Sequence, residues 1–458
     1  MDKKNVWKSY KDTQLEELNE LNRGYMDFLS KGKTERECVN YTVELIKKYG
    51  YRDLEEIIKN GEKLKPYDKV YAVNMKKSII LFNIGTNDIE NGINILGAHI
   101  DSPRLDIKQN PLYEESEIAY LDTHYYGGIK KYQWVTVPLA LHGVVVKKDG
   151  TVIDVVVGED ENDPVMFISD LLVHLSQEQL EKKAAKVIEG EDLNVIIGSI
   201  PVADKDKDAV KENILKILKD KYNIEEEDFI SAEIEVVPAG KAREAGLDRS
   251  MIMSYGQDDR VCAYTSLVAM LEVDKVATTS CCILVDKEEI GSVGATGMKS
   301  RFFENSVAEV IDRLTDYSDI KLRRTLANSR MLSSDVSAAF DPTYSSAFEK
   351  KNAAFMGYGM VFNKFTGSRG KSGSNDANAE YIAVLRNALD NDNVAYQTAE
   401  LGKVDLGGGG TIAYILSLYG MEVIDSGVAV LNMHAPWEVV SKADVYETKK
   451  GYVAFLNI

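Results

Sequence analysis

Residues 93–107, Ile-Asn-Ile-Leu-Gly-Ala-His-Ile-Asp-Ser-Pro-Arg-Leu-Asp-Ile, decide the fold that this sequence predicts. The apolar run up to Gly97 is typical of a buried strand, and His99 and Asp101 follow it directly. Open α/β sheets bind ligands in the crevice beyond the carboxyl ends of their strands. A histidine and an aspartate at such an end predict a metal ligand and the carboxylate that orients its ring. The alternative for this segment alone is a hydrogen-bonded histidine in an ordinary turn.

The same arrangement recurs along the chain, with ligand-type side chains at the end of an apolar run or the start of a helix. The recurring residues are Asp258, Asp259, Glu288, Glu289, Asp335 and His434. Histidine nitrogens and carboxylate oxygens are ligands of zinc, manganese and cobalt. Two ions need a bridging carboxylate and further ligands for each, and this set leaves one carboxylate over for proton transfer. Any one acid alone is more often a cap or a solvated charge, so the coincidence carries the metal-site prediction.

Length and composition narrow the class of protein. A chain of 458 residues, 44% hydrophobic, is long enough for more than one domain. Its net charge of −18 opposes a nucleic-acid or anionic-membrane partner. We expect no membrane span and no signal peptide, because no sufficiently long apolar run is present. Four cysteines without Cys-x-x-Cys spacing predict reduced core thiols and a cytoplasmic protein: Cys38, Cys262, Cys281 and Cys282.

Hydrophobic periodicity predicts an α/β layer fold with a separate β-rich insertion. Helices are predicted over 13–31, 34–50 (from a capping box at Thr34), 204–227, 263–272, 376–390 and from Thr411 onward. Strands are predicted over 78–84, 93–99, 134–146, 151–157, 231–238, 281–286 and 427–434. We therefore predict a discontinuous catalytic domain, 1–109 and 246–458, interrupted by a β-rich domain over 110–245.

Five segments together resemble the metal-site motifs of the aminopeptidase I and aspartyl aminopeptidase family. They are Gly97-Ala-His-Ile-Asp-Ser-Pro-Arg, Gln257-Asp-Asp-Arg, Asp286-Lys-Glu-Glu-Ile-Gly-Ser, Ser333-Ser-Asp-Val and Asn432-Met-His-Ala-Pro. The resemblance covers nearly the whole chain. It implies a mixed-sheet α/β/α zinc-exopeptidase domain interrupted by a β-rich dimerisation domain. It also implies a two-zinc aminopeptidase acting on peptides with a free N-terminus, with cobalt or manganese as alternative ions.

The resemblance assigns metal ligands by motif position. His99 would bind one zinc and His434 the other, and Asp258 would bridge both ions. Glu289 and Asp335 would supply the remaining carboxylate ligands.

The resemblance also assigns residues that act on the substrate or support the ligands. Glu288 would be the general base, and Asp101 would orient the ring of His99. Relatives often have Asn after the bridging Asp, where this chain has Asp259. Whether Asp258 or Asp259 bridges therefore stays open, and motif register favours Asp258.

Two weaker features concern assembly and substrate binding. His174 resembles a family histidine that reaches into a neighbouring subunit's active site, and its alternative is a histidine on an apolar element. The family implies a large homo-oligomer, a tetrahedral dodecamer built from dimers. Residues 407–410, four glycines, could offer backbone N–H groups at a helix start or form a tight turn that needs positive φ.

Other function classes leave different signatures. A deacylase or carboxypeptidase on the same scaffold is the main rival among enzymes, and a metal-free scaffold protein is the rival outside them. Serine hydrolase chemistry has little support, because the sequence has no Gly-x-Ser-x-Gly segment.

Overall fold

The computed structural model describes residues 4–458. Its helices are α1 Asp12–Lys31, α2 Glu35–Lys47, α3 Leu54–Lys59, α4 Gln177–Leu180, α5 Ala209–Tyr222, α6 Gln257–Glu272, α7 Phe302–Leu314, α8 Asp319–Ala327, α9 Ala379–Asn391, α10 Ala413–Ser417 and α11 Lys442–Leu456. Its strands are β1 Arg52–Asp53, β2 Lys69–Asn74, β3 Ser78–Asn83, β4 Asn94–His99, β5 Arg104–Glu115, β6 Ile118–Tyr126, β7 Leu139–Val146, β8 Val152–Val157, β9 Val195–Gly198, β10 Ala232–Pro238, β11 Arg243–Ala245, β12 Met251–Ser254, β13 Ser280–Val285, β14 Arg330–Ser334, β15 Ser337–Ala338, β16 Met360–Asn363, β17 Tyr396–Thr398, β18 Glu422–Gly427, β19 Ala429–Leu431 and β20 Glu438–Ser441.

The described chain divides into two compact units. The first comprises residues 4–101, 242–433 and 438–458, and the second comprises 102–241 and 434–437. The second unit begins earlier than the predicted boundary at residue 110, because β5 already pairs with β6 and β10 from its first residues. No helix among residues 4–458 is long and apolar enough to cross a membrane.

The first unit is built on a mixed sheet with the strand order β1-β2-β3-β13-β4-β14-β18-β16-β17. At its centre, β4 pairs in parallel with β13 and with β14, and β14 pairs in parallel with β18. The carboxyl ends of these four strands therefore meet at one edge of the sheet. A smaller sheet in the same unit has the order β11-β12-β20-β19-β15.

Side chains on the two faces of the large sheet pack into separate apolar clusters. Leu96 of β4 belongs to the cluster formed with α1, α6 and α11, whereas the preceding Ile95 belongs to the one formed with α7 and α10. All residues of β4 are buried. A strand covered on both faces reads as a continuous apolar run rather than an alternating one, which is why the sequence reveals β4 so clearly.

The second unit is a sheet with the order β8-β7-β10-β5-β6-β9. Its pairings are antiparallel, and β7 and β8 form the hairpin predicted from their β-branched runs. The mixed α/β fold with a β-rich part agrees with the predicted fold class. The dimerisation role of this part stays a prediction.

Several predicted elements match and others do not. The capping box at Thr34 is present, with Thr34 Oγ1 accepting from Glu37 N–H and a Glu37 carboxylate oxygen accepting from Thr34 N–H. The run predicted as a strand over 134–146 is a strand only from Leu139, because Pro138 cannot donate to a ladder.

The run predicted as one strand over 427–434 is divided between two sheets. Gly427 ends β18 of the large sheet, and β19, which follows directly, belongs to the smaller sheet. The helix predicted from Thr411 begins at Ala413 instead. Gly408 has φ +109°, and a Cβ there would lie 2.2 Å from Gly367 O, so the structure supports the tight-turn interpretation of the four glycines.

A buried carboxylate ties the last helix to the loop before β16. Asp444 of α11 is fully buried, and its two oxygens accept N–H hydrogen bonds from Gly357 and Gly359, each at 2.7 Å. Burial raises the pKa of Asp444 to about 7, although these two bonds favour the charged form. The folded state therefore binds this proton more tightly than the unfolded chain, in which an ordinary aspartate titrates near pH ~4.

We expect this carboxylate to make folding stability pH-dependent between about pH 4 and pH 7. Its contribution is complete below the unfolded pKa and is lost as the pH rises through the raised, folded pKa. The loss approaches roughly 4 kcal/mol at most, at 1.36 kcal/mol per pKa unit. Urea unfolding of the wild type and Asp444→Asn across this range isolates the effect, because other groups titrate alike in both. A difference between the two proteins that stays constant with pH would contradict the prediction.

Candidate metal centre

His99 is a buried imidazole whose two nitrogens face acceptors. Its Nδ1 lies 3.0 Å from the main-chain carbonyl oxygen of Asp101 and 3.3 Å from that residue's carboxylate. A carbonyl oxygen can only accept, so Nδ1 carries the proton and Nε2 presents a lone pair in the neutral ring. Nε2 lies 3.3 Å from Asp258 Oδ1. Two acceptors at this distance need a proton or a cation between them.

The Asp101 carboxylate holds a second segment in place. Its Oδ1 accepts the backbone N–H of Glu288 at 3.1 Å, and its Oδ2 accepts that of Glu289 at 3.2 Å. These residues begin the turn after β13, which runs beside β4 in the sheet. One carboxylate thus lies beside the ring of His99 and accepts hydrogen bonds from the turn that carries both glutamates.

Asp258 and Asp259 lie at the start of α6, joined by a cis peptide bond. Both are buried. Ligand atoms of His99, Asp258 and Glu289 lie within 4.8 Å of one another, and so do those of His99, Asp259 and Asp335. Neither carboxyl oxygen of Asp259 has a hydrogen-bond partner within residues 4–458. A buried acid without a donor is costly unless a cation or a proton compensates it.

Asp335 follows β14, beside the end of β18. Its N–H donates to Ser426 O at 3.1 Å. Its own carbonyl oxygen lies so near Gly427 that a Cβ there would come within 1.9 Å of it. Only glycine allows this approach, so Gly427 sets the position of a candidate ligand without contributing a side chain. Gly427 was not predicted as a site residue, although its place in an apolar run is visible in the sequence.

Electrostatics within the cluster favour a bound cation. Burial raises the pKa of Asp259 well above its ordinary value, and the neighbouring Asp258 raises it further. Burial and the negative charges of Asp259 and Asp258 likewise raise the pKa of Asp335. Burial alone would lower the pKa of His99, but hydrogen bonds to Asp101 and Asp258 outweigh it and raise that pKa. The negative charges of the clustered acids are not balanced by positively charged side chains in the cluster. A divalent ion would supply the missing positive charge.

Arg260 joins the two segments that carry these ligands. Its guanidinium is fully buried, and its Nε donates to Ile100 O at 3.2 Å, between His99 and Asp101. Its Nη2 donates to Lys33 O at 2.8 Å, at the junction of α1 and α2. Arg260 was not predicted as a site residue, although it directly follows the two aspartates in the sequence.

The structure thus brings together His99, Asp101, Asp258, Asp259, Glu288, Glu289 and Asp335, all within the first unit. His434 belongs to the second unit, where its Nδ1 donates to Gly128 O at 2.7 Å and leaves Nε2 as the lone-pair nitrogen. His174 also belongs to the second unit, in an exposed turn over 173–175. Both remain predicted site residues.

Known proteins resemble this chain over its whole length. The family model described as "Aminopeptidase I zinc metalloprotease (M18)" matches residues 28–456. A probable M18 family aminopeptidase 1 from Clostridium acetobutylicum is 65% identical over 455 residues, 99% of this chain and 98% of that protein. The crystal structure of an M18 family aminopeptidase from Thermotoga maritima superposes with a TM-score of 0.94 at 46% identity, covering 100% and 99% of the two chains. The yeast mApe1 dodecamer shares the fold at 21% identity, with a TM-score of 0.74 over 94% of this chain and 95% of that one.

Paired amide variants test the prediction that Asp258, rather than Asp259, bridges two metal ions. Asp258→Asn is expected to abolish tight metal binding, because a bridging carboxylate serves both ions. Asp259→Asn is expected to weaken binding less and to leave metal on the folded protein. Metal content after dialysis, measured by elemental analysis on both variants, checks this. Full metal content in Asp258→Asn together with loss in Asp259→Asn would assign the bridge to Asp259.

Proposed function

The chain belongs to the M18 family of aminopeptidase I zinc metalloproteases, and we propose that it cleaves N-terminal residues with two zinc ions per subunit and Glu288 as general base. The observation that carries the proposal is the buried cluster in which one imidazole faces carboxylates from four separate strand ends and helix starts. Aminopeptidase activity within a zinc metalloprotease family follows from family membership. The number of ions and the roles of single residues are the proposal.

The proposed ligand set combines the clustered acids with two histidines. Asp258 would bridge the two ions, and His99, Glu289, Asp335 and His434 would complete the two sites. The hydrogen bonds at the Nδ1 atoms of His99 and His434 support this, because each leaves Nε2 as the ring nitrogen that carries a lone pair. Carboxylates and imidazoles are the ligands expected for zinc, with cobalt or manganese as alternatives.

Glu288 is suited to move a proton rather than to bind metal. Its Oε2 lies 4.0 Å from His99 Nε2, its side chain is 16% exposed, and it belongs to neither group of clustered ligand atoms, whereas Glu289 and Asp335 do. Zinc supplies a Lewis acid that polarises a carbonyl group and makes water more acidic. Glu288 accepts the proton of the attacking water and returns it to the leaving amine. Asp101 fixes Glu288 through its backbone N–H, so the base is held beside the ligands.

The second unit offers support for a subunit interface. Around His174, the side chains of Val173 and Leu175 are 70% and 67% exposed, and Leu171 and Leu172 are exposed as well. A contiguous apolar patch of this kind marks an interaction site. The proposed assembly is a homo-oligomer built from dimers, a tetrahedral dodecamer, in which His174 reaches a neighbouring subunit's active site. The cysteines Cys38, Cys262, Cys281 and Cys282 are buried free thiols, which supports the proposed cytoplasmic location.

Glu288→Gln tests the base directly. It is expected to lower kcat by about 10²–10⁴-fold, because glutamine cannot accept the proton, while zinc content stays that of the wild type. The assay uses a free-amine aminoacyl substrate, with its N-acetylated counterpart as the control. Near-normal turnover of Glu288→Gln would show that Glu288 is not the general base. Preference of the wild type for the acetylated substrate would instead indicate a deacylase.

His174→Ala tests the shared site. Loss of one donor near the reacting group is expected to lower kcat by about 10²-fold, with unchanged assembly and zinc content. Size-exclusion chromatography of each variant accompanies the assay, and His124→Ala, another exposed histidine of the second unit, is the matched control. Specific activity that does not depend on His174 or on assembly state would contradict the shared-site role.

A further inference from the structure

Glu438 is a buried acid that contacts a candidate metal ligand, Asp258, at its backbone N–H. It begins β20, is 1% exposed, and its Oε2 accepts the backbone N–H of Asp258 at 3.0 Å. The mechanism above gives it no role. We infer that Glu438 is a positioning residue that holds the metal-binding carboxylate of Asp258 in place, an inference that rests on the proposed function.

The contact satisfies a donor that the helix itself leaves unpaired. Near the start of α6, Asp258 has a non-helical backbone with φ −81° and ψ 106°, so its N–H lies outside the regular hydrogen-bond pattern of the helix. Because this N–H is buried, leaving it without an acceptor would be costly. A carboxylate acceptor makes the bond charge-assisted and therefore stronger than a neutral one.

The side chain of Gln257, the residue before Asp258, is also held by hydrogen bonds. Its fully buried side chain donates from Nε2 to Glu438 O at 2.6 Å and to Ile252 O at 3.1 Å. Its Oε1 accepts the hydroxyl of Tyr25 at 3.0 Å. The side chain of Gln257 is thus held by α1, β12 and β20 at once.

The smaller sheet sets the position of Glu438. Strands β12 and β20 pair antiparallel, and Ser254 lies opposite Glu438 in this ladder. The acceptor for Asp258 is therefore built into a sheet rather than into a loop. Zinc–oxygen bonds are about 2.0–2.2 Å long, so a shift of the Asp258 backbone by a fraction of an ångström changes metal affinity directly.

Zinc affinity of the full-length protein, measured by competition with a chelating dye, tests the inference. Removing partners that orient metal ligands typically weakens affinity about 10–100-fold, and we expect this range for Glu438→Ala. Glu438→Gln keeps an oxygen that can accept the Asp258 N–H, so it is expected to recover most of the affinity. Melting of the metal-free proteins is recorded in parallel.

Glu447→Ala is the matched control. Glu447 is also buried, 2% exposed, and its carboxylate accepts the backbone N–H of Ala395 at 2.8 Å. This substitution is expected to lower the melting temperature without changing zinc affinity. Glu438→Ala is expected to change both.

The outcomes separate the inference from the proposed function. A wild type that binds no zinc would overturn the proposed function. A wild type and Glu438→Ala that bind zinc equally, while Asp258→Asn does not, would overturn the inference alone. If Glu438→Ala does not fold, Glu438→Asp decides, because its shorter carboxylate withdraws from the Asp258 N–H. Wild-type affinity in that variant would also overturn the inference.

Discussion

Like-charge crowding around a single buried imidazole is the constraint on which the site depends. Parallel strands bring their carboxyl ends together, so side chains that follow β4, β13 and β14 must share one small volume. Most of those side chains are acids. The protein tolerates this arrangement through donors such as the backbone N–H groups of Glu288 and Glu289, and through cations that the acids would bind.

The acids of the site fall into two groups: those that accept hydrogen bonds from backbone N–H groups, and those proposed to bind metal or transfer a proton. The two carboxylate oxygens of Asp101 accept the backbone N–H groups of Glu288 and Glu289, and the carboxylate lies beside the ring of His99. Glu438 does the same for the Asp258 N–H. Asp259 has no such bonds within the described chain, and Glu288 keeps part of its side chain in solvent. Identical chemical groups therefore take different roles because their hydrogen-bond partners differ.

The sequence was sufficient to predict the strands that carry the site residues. It was less informative about the contacts that hold those residues in place. The strands before His99 and before Glu288 are continuous apolar runs, and a parallel sheet buried on both faces requires such runs. The division of residues 427–434 between two sheets escaped prediction, because it depends on pairing with strands far away in the sequence, Gly427 with β16 and Ala429 with β15. Contacts of Arg260 and Glu438 join residues far apart in the chain, and no local pattern encodes them. Motif register favours Asp258 over Asp259 as the bridging residue, and the structure places ligand atoms of both near His99.

The order of strands in the large sheet also bears on how the chain acquires its metal during synthesis. β4 ends at residue 99, yet its two sheet neighbours, β13 and β14, end at residues 285 and 334. A ribosome-bound chain that has exposed only its first half carries His99 and Asp101 with none of the other clustered acids. Contacts of such long sequence separation form late and slowly. The clustered candidate metal ligands are therefore complete only after residue 335 has been synthesised, and a translation product truncated before that residue would lack part of the cluster.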